Sequence, residues 1–363
     1  MDYKSLFKEK LGKLLFLEIN WDKFRDVVNI PHNVNLKNKD IYIPISSKYV
    51  TSNVENEVKI NNLPIYYFIE GMLLALGADE NLSFLEDYII IFNNIKDSEA
   101  CGKSLVADRI KEGEFVDAYL LLKGLFISTG DEEYYKKLLL IAEAIREKDS
   151  AFSEIFLVDI EEGKKEFLDL PDPHLYNALI LKEKGDFKGA KVEINEFVRK
   201  GGQLTEDVKG IMIDIENVAN YEKAVEELDK NPSKSIGIFL SLLESFDKNP
   251  LIYYYLAVAY RKLENYEKAI YYLNESIEIE SGILEVVNEL GINYACLGSY
   301  EEAIKYFKKA FEASKDIEIC TNIVMCYMHL GNEEQAKLNL DIAKKINPED
   351  EIVCQLDRML NAK

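Results

Sequence analysis

Apolar and polar residues follow a helical period through most of this chain, most regularly from Pro250 onward. Pro250 to about Leu263 reads as one helix and Tyr266 to about Ile279 as its partner. The short Glu264–Asn265 link between them allows only an antiparallel hairpin. The pattern then repeats as Leu284–Leu297 with Tyr300–Ala313, and as Ile317–Leu330 with Glu333–Ile346. Gly298 and Gly331 fall just past the first helix of their pairs, where a left-handed C-cap suits a residue without a side chain. Pro348 closes the last pair. Glu349–Leu360 predicts one more helix, with Ile352, Leu356 and Leu360 on one face, as the exposed end of a helical stack requires.

Tyr260, Tyr266 and Ala269 return as Tyr294, Tyr300 and Ala303, and Leu256 returns as Leu290, all shifted by 34 residues. After 33 more, Tyr327, Gly331, Ala336 and Leu340 answer Tyr294, Gly298, Ala303 and Phe307. A fixed period of this length marks a stacked helical array. Upstream the echo weakens. His174–Lys184 with Phe187–Lys200 keeps Gly185, Phe187, Ala190 and Ile194 in place, and Lys103–Lys111 with Phe115–Ile127 keeps Gly113, Phe115, Ala118 and Leu122. Glu132–Glu147 and Ala151–Glu166 form another predicted pair. Tyr221-Glu222-Lys223-Ala224 copies Tyr266-Glu267-Lys268-Ala269, which predicts Glu206–Val218 and Tyr221–Asp229 as a pair and leaves Ser233–Phe246 without a partner. The phase therefore breaks around Asn231-Pro232.

The first hundred residues read differently. Tyr3–Glu18 predicts an amphipathic helix. Asp40–Val50, with Ile41, Ile43 and Ile45 alternating, predicts a strand, and Glu57–Asn61 its hairpin partner across Thr51–Asn56. Ile65–Leu76 and Ser83–Asn93 return to helix as a degenerate pair. The expected organisation is a small α+β cap or module over residues 1–98, divergent helix pairs over 99–230, a phase break at 231–249, three regular repeats over 250–348 and a capping helix over 349–363.

The regular third resembles the tetratricopeptide repeat family. The second copy carries Leu290-Gly291, Tyr294, Ala303, Phe307 and Ala310; the first has Leu256-Ala257, Tyr260, Ala269, Leu273 and Ser276; the third has Ile323-Val324, Tyr327, Ala336, Leu340, Ala343 and Pro348. The glycine of the Leu-Gly pair is missing from two of the three copies. The resemblance implies an all-α, right-handed superhelical solenoid of antiparallel helix pairs. It also implies that the first helices line a concave face, where bound peptides touch set positions. Those positions carry Tyr254, Val258, Arg261 and Lys262, then Asn288, Ile292, Ala295 and Cys296, then Thr321, Met325, Met328 and His329. The partner-binding residues expected from this set are Tyr254, Val258, Arg261, Asn288, Ile292, Thr321, Met325 and Met328. They form an apolar strip with polar edges, without the Lys/Asn/Arg set that some family members use to clamp a C-terminal carboxylate.

The net charge of −21 narrows the partners. Such a surface repels phosphate backbones and anionic headgroups, so neither nucleic acid nor membrane is expected, and a basic peptide would be steered in. Five cysteines without a CxxC pair read as reduced thiols in the cytoplasm. The N-terminus lacks a secretory signal pattern, and no segment is apolar enough to span a membrane.

Catalytic patterns are missing. Gly102-Lys103-Ser104 resembles the end of a phosphate-binding loop, but Asp97 stands where that motif needs its first glycine. His32, His174 and His329 are scattered and no HExxH or Cys/His cluster occurs, so no metal, cofactor or catalytic set is expected. The reading is a non-catalytic scaffold that binds a peptide or protein segment. The alternatives are a peptide-sensing regulator whose N-terminal module acts on a target, and an accessory subunit of an enzyme complex.

Overall fold

The computed structural model describes residues 2–38, 41–46 and 63–361. Among them are 19 α-helices and one two-stranded sheet, and the chain divides into two compact units, Met1–Met212 and Ile213–Lys363.

In the first unit, Asp2 caps helix α1 (Tyr3–Gly12) by accepting from the Ser5 N–H. The helix stops at Gly12 rather than running to Glu18. Leu15–Ile19 forms strand β1, which pairs antiparallel with β2 (Ile41–Ile45) in the register Leu15 opposite Ile45 and Ile19 opposite Ile41. The cause is the unbroken run Leu14-Leu15-Phe16-Leu17, which suits a strand as well as a helix once a partner strand is present. The alternation read in β2 holds, with Ile41, Ile43 and Ile45 buried and Tyr42 exposed. Its described partner is β1; Thr51–Asn56 and Glu57–Asn61 lie outside the described residues. Between the strands runs α2 (Trp21–Val28).

Strand β2 lies against α3 (Ile65–Ala78) at Gly71, where a β-carbon would overlap the Pro44 carbonyl. The closest neighbour of α3 is not α4 (Leu85–Asn94) but α6 (Phe115–Thr129), which also packs with its own hairpin partner α5 (Ser98–Lys111). Helices α7 (Glu132–Arg146) and α8 (Ser153–Glu166), joined through a short 3-10 turn at Ser150–Phe152, and α9 (Asp172–Glu183) and α10 (Phe187–Arg199) follow as predicted. One apolar cluster runs from Tyr3 to Ile180, so residues 1–98 share their core with the helices that follow.

The division between units falls inside α11 (Glu206–Glu227). This is one 22-residue helix, not the two expected. No glycine or proline interrupts Val218-Ala219-Asn220-Tyr221, so nothing supplies the left-handed turn that a hairpin needs. Ala224 near its C-terminal end and Leu228 just beyond it pack with Ile236, Phe239 and Leu242 of α12 (Pro232–Leu243) and with Ile252 and Leu256 of α13 (Pro250–Lys262). Three hairpins complete the unit: α13 with α14 (Tyr266–Ile279), α15 (Leu284–Cys296) with α16 (Tyr300–Ser314), and α17 (Ile317–His329) with α18 (Glu333–Ile346). The terminal α19 (Glu351–Asn361) packs against the last of them through Val353, Leu356 and Leu360. Ile352, expected on that face, is exposed. The architecture is an all-α array of antiparallel helix pairs with a small α+β element at its N-terminus.

Candidate functional site

Two of the three regular hairpins are closed by the same stacking. Tyr260 lies parallel to Tyr272 with ring centroids 5.4 Å apart, and Tyr294 lies parallel to Tyr306, also at 5.4 Å. Small residues let each first helix approach its partner. Gly291 faces the Phe307 ring, and a β-carbon there would come within 2.6 Å of it. In the other two copies leucine, Leu273 or Leu340, replaces that phenylalanine, and Ala257 or Val324 replaces the glycine. The departures from the Leu-Gly pair thus follow the volume of the residue opposite.

On the first helices α13, α15 and α17 the expected partner-binding residues differ in exposure. Met325 is exposed, and Tyr254, Arg261, Asn288, Ile292 and Met328 are half-buried. Val258 and Thr321 are buried. Val258 packs among Ala224, Phe239 and Ile252, and the Thr321 hydroxyl donates to the Glu318 carbonyl at 2.8 Å. Of the flanking residues, Lys262, Cys296 and His329 are exposed and Ala295 is half-buried.

The strip has one polar centre. Arg261 Nε donates to Glu289 Oε1, tying α13 to α15. Glu289 is only 5% exposed, and Asn293, one turn on and fully buried, donates its amide to the Glu289 backbone carbonyl at 2.8 Å and to Glu289 Oε1 at 3.2 Å. Asn293 Oδ1 and Asn288 Oδ1 are enclosed without a hydrogen-bond partner. Burial, reinforced by the nearby Glu289 carboxylate, pushes the Tyr254 phenol up to about 12, so it stays a neutral donor at any physiological pH.

The family model described as tetratricopeptide repeat matches the chain three times, at residues 250–282, 284–316 and 317–350. Residues 250–350 are tetratricopeptide repeats. A search of the curated proteins found no significant match. Among solved structures, the chain is similar to MamA, at 18% identity over 48% of this chain and 90% of that one, with a TM-score of 0.37. It is similar to TTC0263, a thermophilic TPR protein of Thermus thermophilus, at 17% identity over 53% of this chain and 97% of that one, with a TM-score of 0.34. It is also similar to a chain of the APC/C hetero-tetramer Cut9–Hcn1, at 13% identity over 82% of this chain and 62% of that one, with a TM-score of 0.39.

Glu289 and Asn293 were not among the residues read from the sequence of these repeats. The signal was present: Val286, Glu289, Leu290 and Asn293 share one helix face, so two polar residues sit in an otherwise apolar register. Their partner Arg261 lies 28 residues away, a separation that only the stacking of repeats brings together.

The other candidate residues lie in separate surroundings. Gly102 lies within α5, and a β-carbon there would press on Leu125 and Leu73, so this glycine is a close-contact residue between helices. His32 stands beside Asp26 on the surface, His174 Nδ1 is 2.7 Å from Glu193, and His329 stacks on Tyr300 at 4.7 Å. Cys320 and Cys326 are buried, and burial raises both thiols, Cys326 to about 11. Among the described residues no group of three His, Cys, Asp or Glu side chains is placed to hold a metal ion, and no helix is long and apolar enough to cross a membrane.

Proposed function

We propose that the chain is a non-catalytic scaffold whose tetratricopeptide repeats hold a segment of a partner protein across α13, α15 and α17. The observation that supports this reading is the strip of Tyr254, Ile292, Met325 and Met328. Met325 is exposed, and Tyr254, Ile292 and Met328 keep part of their surface uncovered while packing against the apolar clusters of the repeats. A strip of this kind offers apolar anchors to an extended or helical segment, with Arg261 and Asn288 beside them to fix its register. Val258 and Thr321 are buried and are left out of the proposed contact set. We read residues 1–98 as the N-terminal cap of the array and the protein as cytoplasmic, in keeping with five unpaired cysteines.

The test is affinity capture with the whole chain and with a variant carrying Tyr254→Ala, Ile292→Ser and Met325→Ser. Met325 is exposed and Tyr254 and Ile292 are half-buried, and circular dichroism checks that the variant folds. The reading requires that specific captured proteins be lost with the variant. A capture profile unchanged by all three substitutions refutes it.

A further inference from the structure

The first unit buries a charged network that the strip does not use. Asp159 on α8 is 2% exposed. Its carboxylate accepts from the Tyr119 hydroxyl and from Lys123 Nζ at 3.0 Å, and the same ammonium reaches Glu80 at 2.6 Å. Asp159, Lys123 and Glu80 line a cavity of about 580 Å³. The apolar part of its wall is Leu85, Phe126, Ile127, Tyr135 and Leu138, with the Phe126 and Tyr135 rings 5.3 Å apart. Its charges are not balanced. Glu162 and Glu166, one turn apart on α8, also line it, as does Lys165, and among the described residues none of the three makes a hydrogen bond or ion pair. Four carboxylates therefore face two ammonium groups, Lys123 and Lys165, which leaves two negative charges without a cation. The Glu162 carboxyl is pushed above its ordinary value, first by burial and then by Glu80 and Asp159. A cation beside it would relieve that repulsion.

We propose that this cavity is a docking site for the lysine or arginine side chain of a partner protein. It lies in the first unit, and the proposal does not rest on the strip of α13, α15 and α17. Charge complementarity selects a cation, and the apolar wall suits the aliphatic stem that carries it. Glu162 and Glu166 would give the incoming cation the charge-assisted hydrogen bonds that Asp159 and Glu80 give to Lys123. The Phe126 and Tyr135 rings add a cation–π contribution. Lys123 does not meet this need itself, because its ammonium is already spent on Asp159 and Glu80. The overall charge of −21 steers a basic partner toward the site.

The test is selection from a random peptide library against the whole chain, with the selected peptides sorted by the variant that weakens them. We expect one class with an enriched Lys or Arg. It should bind roughly tenfold more weakly to the double variant Glu162→Gln with Glu166→Gln, and unchanged to the Tyr254, Ile292 and Met325 variant. Both glutamates are exposed, and thermal unfolding checks that the double variant folds. Two further measurements use the unaltered chain. Norleucine in place of the enriched Lys removes the charge and should abolish binding. Diaminopropionic acid keeps the charge on a shorter stem and should lose most of it. Binding that survives the short stem is surface attraction and overturns the proposal. So does equal weakening by Glu301→Gln with Glu302→Gln, which removes the same charge from exposed positions in the second unit. A library without a basic class sensitive to Glu162 and Glu166 overturns it as well. Spermidine that binds more tightly than any selected peptide, and needs the same two glutamates, assigns the cavity to a free polyamine and overturns the partner assignment.

Discussion

Gly77 on α3 and Gly124 on α6 are reciprocal contacts: a β-carbon on Gly77 would overlap the Leu120 carbonyl, and one on Gly124 would overlap the Leu73 carbonyl. The two helices thus meet backbone to backbone in the centre of the first unit. Both clashes are with main chain, which cannot rotate away. Gly77→Ala and Gly124→Ala are each expected to destabilise the first unit by about 3 kcal/mol or more, measured as a shift of its urea midpoint. Gly113→Ala gives no clash, since only its positive φ of 77° resists, and should cost about 1 kcal/mol.

The same left-handed position recurs at the turn of five hairpins, occupied by Gly113, Gly185, Glu264, Gly298 and Gly331. Glu264, at φ 59°, is the one that carries a side chain there. Glu264→Gly should therefore stabilise the second unit by about 0.5–1 kcal/mol, whereas Gly298→Ala and Gly331→Ala should destabilise it by about 1 kcal/mol each. Chemical unfolding followed by circular dichroism measures all three.

Glu70 and Arg109 form a buried pair, and Arg109 is 8% exposed. Removing one member leaves an uncompensated charge, whereas removing both with apolar replacements does not. Glu70→Leu alone is expected to cost about 3 kcal/mol. Glu70→Leu combined with Arg109→Leu should recover most of that loss, and a double-mutant cycle in urea reads the difference.

Glu193 receives the Lys164 ammonium at 2.8 Å and His174 Nδ1 at 2.7 Å. Burial opposes its ionisation, but these two donors outweigh burial and hold the carboxyl below its ordinary value. A lowered carboxyl stabilises the fold above its unfolded value, near pH 4.3, and that stability is lost as pH falls through the folded value. Glu193→Gln should therefore lower the stability of the first unit at pH 7 by about 1 kcal/mol, given its partial exposure, and flatten the acid limb below about pH 5. Urea midpoints at neutral pH and at about pH 3 check both.

Residues 250–348 were legible because the residues that shape each hairpin are local to it: the stacked tyrosines Tyr260–Tyr272 and Tyr294–Tyr306 and the turn glycines Gly298 and Gly331 all lie within one hairpin. The segment from Leu14 to Ile19 was not, since its short apolar run suits helix or strand and the deciding partner, Ile41–Ile45, is more than twenty residues away. The copied Tyr221-Glu222-Lys223-Ala224 misled because it occurs mid-helix without the turn residue that makes a hairpin. That Tyr254, Ile292, Met325 and Met328 stand on the first helices was readable from the repeat positions alone. The Arg261–Glu289 pair was not, because only the stacking of repeats brings Arg261 against Glu289.

The most direct measurement is hydrogen–deuterium exchange of the whole chain with and without a captured partner. If the first helices hold the partner, added protection concentrates in α13, α15 and α17, and it disappears with the Tyr254, Ile292 and Met325 variant. Protection confined to the second helices α14, α16 and α18, or to the first unit, would contradict the account.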